Sequence, residues 1–151
     1  MCLSTILLAG SLLFSPSIES DSYTNVHYPE VNDFAIKHFY NEFILYANKY
    51  NKLDSIKKYR LLEIKIQPLS GNTVGKSYKL SNNSGIIIID LDKMDDLIQL
   101  RAVLFHELGH FYLDKDHIDC DICIMKSAYN FKKTPYELQD NWLEHLEELF
   151  S

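Results

Sequence analysis

The spacing of hydrophobic positions along the chain predicts three amphipathic helices. Apolar residues three and four positions apart share one face of a helix, and that face packs against a core. The first such stripe is formed by Ile36, Phe39, Phe43, Ala47 and Tyr50. The second follows a cluster of aspartates, which favour a helix start, and is formed by Leu97, Leu100, Leu104, Leu108 and Phe111. The third follows a capping box that begins at Thr134, and is formed by Leu138, Trp142, Leu146 and Leu149.

Three shorter segments have the pattern of β-strands. Residues 61–67 have the pattern of a strand and are followed by a proline. In residues 74–80 apolar and polar residues alternate, as in a strand with one face exposed to solvent. Residues 86–89 are all isoleucine, which is typical of a strand covered on both faces. Together with the helices, these strands predict an α+β fold in which a small twisted mixed sheet packs against helices.

The first residues differ in character from the rest of the chain. Residues 3–14 are almost wholly apolar, and a polar stretch follows. This length is too short for a helix to cross a hydrocarbon layer of about 30 Å, but it fits the apolar region of a secretory signal peptide. We therefore expect residues 1–20 to be a signal peptide, although no Lys or Arg follows Met1, and residues 21–151 to be one domain, secreted or periplasmic. A buried N-terminal helix or strand is the alternative. Ser11 stands where a lipidated cysteine would be needed, so we expect no lipid anchor. Because the apolar stretch is too short, we also expect no stable membrane span.

Composition narrows the classes of function. The 151 residues have a hydrophobic fraction of 46% and a formal net charge of -6, which fit one globular domain with one core. Binding to nucleic acid requires a basic face for the phosphates, so the acidic balance argues against a nucleic-acid partner.

The pentapeptide His106-Glu107-Leu108-Gly109-His110 lies in the second predicted helix and has the pattern HExxH. Residues four positions apart lie on one helix face, so both imidazoles can reach a single ion. Neutral imidazole is a good zinc ligand, and a catalytic zinc site needs a third protein ligand and one position left for water. Glu107 is adjacent to the first ligand and can act as general base on that water without binding the metal.

The third ligand has two candidates, Asp116 and His117. Imidazole is the commoner zinc ligand, which favours His117. Asp116 remains the alternative, or a residue that orients one of the imidazoles. The sequence thus predicts a site for one catalytic Zn²⁺ ion at His106, His110 and His117.

These residues resemble the HExxH zinc metallopeptidases of the metzincin type, whose pattern is HExxHxxGxxH. Leu113 occupies the glycine position and Asp116 the final ligand position, as in the small secreted snapalysin-type proteases (HExxHxxGxxD). The stretch that ends at His117 is similar to several small bacterial proteins with the pattern HELGHxxLxxxH. The resemblance implies a zincin-like active-site helix and an edge strand, here residues 74–80, that pairs with an extended substrate.

A second part of the resemblance is the segment Cys123-Ile124-Met125, which looks like the Met-turn of that clan. The Cys-x-Met arrangement is similar to the archaemetzincins, which carry four cysteines for a second zinc. Here only Cys120 and Cys123 are present in this region, so we expect no second zinc. In an oxidising compartment the two cysteines can form a local disulfide. A plain core methionine is the alternative interpretation of Met125.

These observations predict a zinc metalloendopeptidase that acts on peptide or protein substrates. Two alternatives stay open from the sequence: a zinc-binding structural or interaction module without turnover, and a secreted interaction protein in which HExxH occurs by accident. A metal analysis and a peptide-cleavage assay separate the three.

Overall fold

The computed structural model describes residues 26–127, 130 and 133–151. In this part the chain forms five α-helices and three strands: α1 (Phe34–Lys49), α2 (Leu53–Lys58), β1 (Arg60–Ile66), β2 (Gly75–Lys79), β3 (Ser84–Ile89), α3 (Leu97–Leu113), α4 (Thr134–Asp140) and α5 (Trp142–Phe150). The expected signal peptide, residues 1–20, lies outside the described residues. No helix of the described part combines the length and the apolar character that a membrane crossing requires.

The three strands form one mixed sheet in the order β1-β3-β2. β3 pairs in parallel with β1 and antiparallel with β2, so β2 is an edge strand. Ile87 and Ile89 of β3 are fully buried, whereas Ile86 is only partly buried. The opposite face is also largely covered, since Ile88 is only 8% exposed. The predicted α+β class with a small mixed sheet is confirmed.

Helix α3 lies at the centre of the molecule. Asp96 caps its first turn, because its side chain accepts hydrogen bonds from the backbone N–H groups of Ile98 (2.9 Å) and Gln99 (3.0 Å). Residues 102–109 of this helix are all buried, since α3 packs against β2 and β3 and also against α1, α2 and α4. A helix enclosed by neighbours around its circumference holds its side chains in fixed places.

The C-terminal segment differs from the single helix that its hydrophobic stripe predicts. It consists of α4 and α5, which are separated by a break at Asn141. Asparagine favours helix ends over helix interiors, because its side chain competes for backbone hydrogen bonds. After the break, the Trp142 ring packs edge-on against Phe105 of α3, with 5.1 Å between ring centroids. The pattern of hydrophobic residues also does not predict the short helix α2.

Candidate metal centre

Helix α3 brings two of the candidate ligands together. His106 and His110 are one helical turn apart, and their Nε2 atoms are separated by 3.1 Å. His106 is 7% exposed, whereas His110 is half-buried at the rim of a cleft. The HExxH spacing thus places both imidazoles on one face, as expected for residues four positions apart.

The turn after α3 brings His117 back to the same point. Asp114 ends the helix in the left-handed conformation, with φ of 52°, and its backbone N–H donates to the carbonyl of Gly109. His117 follows three residues later, and its Nε2 atom lies 3.2 Å from that of His106 and 3.1 Å from that of His110. Asp116 is not a member of this cluster. The left-handed residue at the end of α3 thus turns the chain so that His117 meets the two histidines of the helix.

Backbone carbonyls fix the orientation of both α3 imidazoles. The Nδ1 atom of His106 lies 2.6 Å from the carbonyl oxygen of Ile124, and that of His110 lies 2.6 Å from the carbonyl oxygen of Lys115. A carbonyl can only accept, so each Nδ1 carries the proton and each Nε2 is left as a base. Histidine ligands of metals are oriented by partners of this kind.

Burial keeps these two rings neutral at physiological pH. It lowers the pKa of His106 to about 4, and it also lowers the pKa of His110. In both cases burial outweighs the hydrogen bond to the carbonyl, which favours the protonated ring. A metal ion binds only to an unprotonated imidazole nitrogen. Because both rings are already neutral, metal binding does not have to remove a proton from them.

The three histidines are close enough together to hold one metal ion. Their Nε2 atoms form a nearly equilateral triangle with sides of 3.1–3.2 Å. Tetrahedral ligands at 2.0–2.1 Å from zinc are separated by about 3.3 Å, so the triangle fits a zinc-sized ion with little adjustment. The donor set of three neutral imidazoles is suitable for zinc and for other borderline metals such as copper, iron and nickel.

Glu107 lies beside the triangle but is not part of it. The residue is 6% exposed and lies against β2, where its Cγ and Oε1 atoms are close to Gly75. Burial raises the pKa of Glu107 to about 7, although the polar groups of Ser77 act in the opposite direction. Gly75 permits this close approach, because a Cβ atom there would lie 2.9 Å from Oε1 of Glu107.

An open cleft connects the histidines and Glu107 with β2. It has a volume of about 1190 Å³, and its walls include His106, His110, His117, Glu107 and Ser77. The cleft therefore runs along the edge strand and past the cluster. A chain of several residues can fit in a space of this size.

The loop after His117 packs beneath α3. The backbone N–H of Ile118 donates to the carbonyl of Met125 at 2.8 Å, and a disulfide joins Cys120 to Cys123 within this loop. The Met125 side chain is 2% exposed and packs on Gly109, where a Cβ atom would lie 2.7 Å from the sulfur. The glycine of the HELGH sequence therefore makes room for the thioether.

Some residues of the site were not identified from the sequence. Gly75 of β2 lies against Glu107, and the carbonyls of Ile124 and Lys115 orient the imidazoles. The packing of Met125 against α3 has one indication in the sequence, which is Gly109. A glycine inside a strongly apolar helix often marks a close approach by another group.

Comparisons with protein-family models, with curated proteins and with solved structures found no match to this chain. The resemblance to metzincins therefore rests on the HExxH segment, the third histidine and the methionine that follows.

Proposed function

We propose that this protein is a zinc-dependent endopeptidase in which His106, His110 and His117 hold the metal and Glu107 is the general base. One observation carries the proposal: three imidazole nitrogens converge within 3.1–3.2 Å of one another beside a buried glutamate in an open cleft. Three protein ligands leave one position of a tetrahedral zinc ion for water, as in catalytic sites, whereas structural sites use four.

Each residue of the site has a task in peptide hydrolysis. A zinc ion held by His106, His110 and His117 would supply a Lewis acid that polarises the scissile carbonyl and lowers the pKa of the attacking water. Glu107 takes a proton from that water and delivers it to the leaving nitrogen, so one carboxylate serves both halves of the reaction. The carbonyls of Ile124 and Lys115 keep the rings of His106 and His110 in the tautomer that ligates through Nε2.

The edge strand β2 supports a peptide as the substrate. Its outer side has no partner strand within the described part of the chain, and it borders the cleft that contains the three histidines. An extended peptide can pair with such an edge through main-chain hydrogen bonds, which bind a range of sequences. Because the cleft is open, a substrate chain can extend past the site in both directions, which favours cleavage within a chain over removal of a terminal residue.

We also propose that the protein acts outside the reducing cytoplasm, in a secreted or periplasmic location. The Cys120–Cys123 disulfide supports this location, because disulfides persist mainly in oxidising compartments. Expression with the N-terminal segment fused to a reporter enzyme tests whether residues 1–20 direct export. A reporter that stays in the cytoplasm would contradict the proposed location.

The decisive experiment combines metal analysis with a cleavage assay on the full chain. We expect one zinc per molecule, cleavage of a diverse peptide mixture, and loss of cleavage on treatment with a chelator. Glu107→Gln should keep the zinc and lose hydrolysis, whereas Glu144→Gln, which changes an exposed glutamate on α5, should keep both.

Two results would replace the proposal by other functions. Stoichiometric zinc without any cleavage would indicate a zinc-binding structural or interaction module. Absence of bound zinc after purification in zinc-containing buffer would indicate that the HExxH pattern is accidental.

A further inference from the structure

Lysines line the cleft that contains the metal centre, although the chain as a whole is acidic. They are Lys76 on β2, Lys93 between β3 and α3, and Lys126 in the loop after His117. Among the described residues that form the lining, Glu107 is the only acidic one. The formal net charge of the chain is -6, so the charge of the cleft lining is opposite in sign to that of the protein as a whole.

One of these lysines is neutralised within the fold. The ammonium group of Lys93 lies 3.0 Å from a carboxylate oxygen of Asp90, and it also donates to the carbonyl of Thr73 at 3.0 Å. Within the described residues, neither Lys76 nor Lys126 forms an ion pair with a carboxylate. Two positive charges at the cleft are therefore left to interact with a ligand.

The backbone holds Lys126 close to the metal centre. Ile118, which directly follows His117, forms a β-bridge with Lys126. The ammonium group of Lys126 donates to the backbone carbonyl of Asp121, an acceptor without net charge, so the positive charge is not compensated there. Since Lys126 and His117 line the same cleft, an acidic side chain of a peptide bound at the metal centre can reach this ammonium group.

Lys76 is placed where a paired peptide would present its side chains. Residues two positions apart on a strand share one face, so Lys76 and Tyr78 lie on the face of β2 opposite to Gly75. Both are exposed, and the ammonium group of Lys76 lies 4.9 Å from the centre of the Tyr78 ring. An extended peptide that pairs antiparallel with this edge places every second side chain on the same face. A side chain directly opposite Lys76 would have its Cβ atom about 4.5–5.5 Å away, where opposite charges attract and like charges repel.

We propose that the cleft selects peptides with acidic side chains, and that Lys76 and Lys126 determine this specificity. The inference rests on the proposed function, because it describes the substrate of the same site. The negative net charge of the protein disfavours an acidic peptide elsewhere on its surface, so the two ammonium groups supply the attraction locally. A basic peptide would meet like charges at both lysines.

Two peptides that differ only in charge test this specificity. A sequence that the wild type cleaves is made with glutamate or with glutamine at the positions that flank the cleaved bond. An exposed ion pair changes an equilibrium constant by about 1.4- to fivefold, so two pairs should give the glutamate peptide a kcat/KM at least about fourfold higher. In the Lys76→Gln, Lys126→Gln double variant the ratio should fall to within about twofold.

A matched control shows that the position of the lysines matters and not the net charge alone. Lys57→Gln removes an exposed lysine of α2 that is not among the residues of the cleft, and it should keep the wild-type ratio. Zinc content should be the same in all of these variants, because no lysine belongs to the histidine cluster.

Binding without cleavage gives a second measurement. Labelled glutamate and glutamine peptides, which need not be substrates, are titrated with the zinc-loaded Glu107→Gln full chain, and fluorescence anisotropy measures Kd. The glutamate peptide should bind at least about fourfold more tightly at low salt. The difference should shrink toward about 1 M salt, where the Debye length is roughly 3 Å. Addition of the two lysine substitutions should abolish it.

The outcomes separate this inference from the proposed function. A preference for the glutamate peptide that salt weakens and the double lysine variant loses supports the inference. Equal use of both peptides by the wild type, or a preference that the double variant keeps, would overturn it and leave the peptidase assignment intact. Tighter binding of a single-stranded oligonucleotide than of the glutamate peptide would also overturn it, because phosphates would then be the partners of the lysines. A wild-type protein that cleaves no peptide would overturn the proposed function, and the anisotropy measurement would still decide whether the cleft prefers acidic peptides.

Discussion

The Nδ1 atom of His106 on α3 lies 2.6 Å from the carbonyl oxygen of Ile124, which belongs to the loop after His117. The segment from His117 to Ile124 therefore contributes to the metal centre at both of its ends. His117 supplies an imidazole, and the carbonyl of Ile124 orients His106. Between these residues, Ile118 is hydrogen-bonded to Met125 and a disulfide joins Cys120 to Cys123. The order of the loop and the geometry of the metal centre are consequently linked.

Removal of the disulfide should weaken metal binding. In the Cys120→Ser, Cys123→Ser double variant, the loop gains conformational freedom and the Ile124 carbonyl is held less firmly against His106. Loss of an orienting partner typically lowers metal affinity about 10- to 100-fold, and we expect a decrease in this range. Competition with a chromophoric chelator measures the affinity. Wild-type protein reduced with a phosphine, which competes for zinc far less than a thiol does, should show a decrease in the same direction, and an unchanged affinity in both samples would contradict the linkage.

The two candidates for the third ligand can be distinguished directly. His117→Ala removes one of three converging nitrogens, so it should lower zinc affinity by more than the roughly 100-fold that accompanies loss of an orienting partner. Asp116→Ala removes an exposed neighbour that is outside the cluster and should change the affinity far less. Zinc content after dialysis against a weak chelator, measured by elemental analysis, compares the variants. A larger loss in Asp116→Ala would transfer the assignment to the carboxylate.

The sequence could identify the residues whose chemistry depends on local spacing. His106, Glu107 and His110 follow from helical periodicity alone, and the α+β class follows from the alternation of strand and helix patterns. The choice between Asp116 and His117 depended on where the helix ends. Asp114 adopts the left-handed conformation, with φ of 52°. Aspartate visits this conformation more often than most L-residues but far less often than glycine, so the residue type alone does not show that the helix ends here.

Other features depended on tertiary packing. The carbonyls of Ile124 and Lys115 orient the imidazoles through backbone atoms, which every residue type possesses, so no residue pattern indicates them. Gly75 meets Glu107 only because β2 is at the edge of the sheet beside α3, and strand order is not encoded in the spacing of a single strand.

The left-handed turn at Asp114 should tolerate asparagine but not a β-branched residue. Asp and Asn adopt this conformation more readily than other L-residues, whereas valine in it costs about 1–2 kcal/mol or more. Asp114→Asn should therefore change the free energy of unfolding only slightly, through its exposed contacts with Tyr59 and Lys79. Asp114→Val should lower it by at least about 1 kcal/mol and also weaken zinc binding, because His117 follows the turn. Urea unfolding measures the first effect, and equal stability of the two variants would contradict the argument.

Stability in acid should depend on Asp90, at the end of β3. The backbone N–H of Leu69 (2.8 Å) and the ammonium group of Lys93 (3.0 Å) hold the pKa of Asp90 below its usual value. A carboxylate with a depressed pKa stabilises the folded state above its unfolded-state pKa of about 3.9, and the contribution is lost as the pH falls through the folded-state pKa. Asp90→Asn should therefore be less stable than wild type at neutral pH, and the difference should shrink as the pH falls below about 4. Urea midpoints at a series of pH values measure this, with the exposed Asp119→Asn as the control. A difference that is independent of pH would show that charge is not the cause.

Gly75→Ala should impair the reaction without affecting zinc content. A Cβ atom at this position would lie 2.8 Å from Cγ1 of Val103 and 2.9 Å from both Cγ and Oε1 of Glu107, so the glutamate must move. Displacement of a catalytic group by about 1 Å can lower the rate by as much as 100-fold, and we expect a fall in kcat within that limit. Gly71→Ala provides the contrast: Gly71 has a φ of 61° with open space around it, so alanine there strains the backbone but does not touch Glu107. It should lower the urea midpoint and leave kcat per folded molecule unchanged. A wild-type kcat in Gly75→Ala would show that the reaction does not depend on the present position of Glu107 against β2.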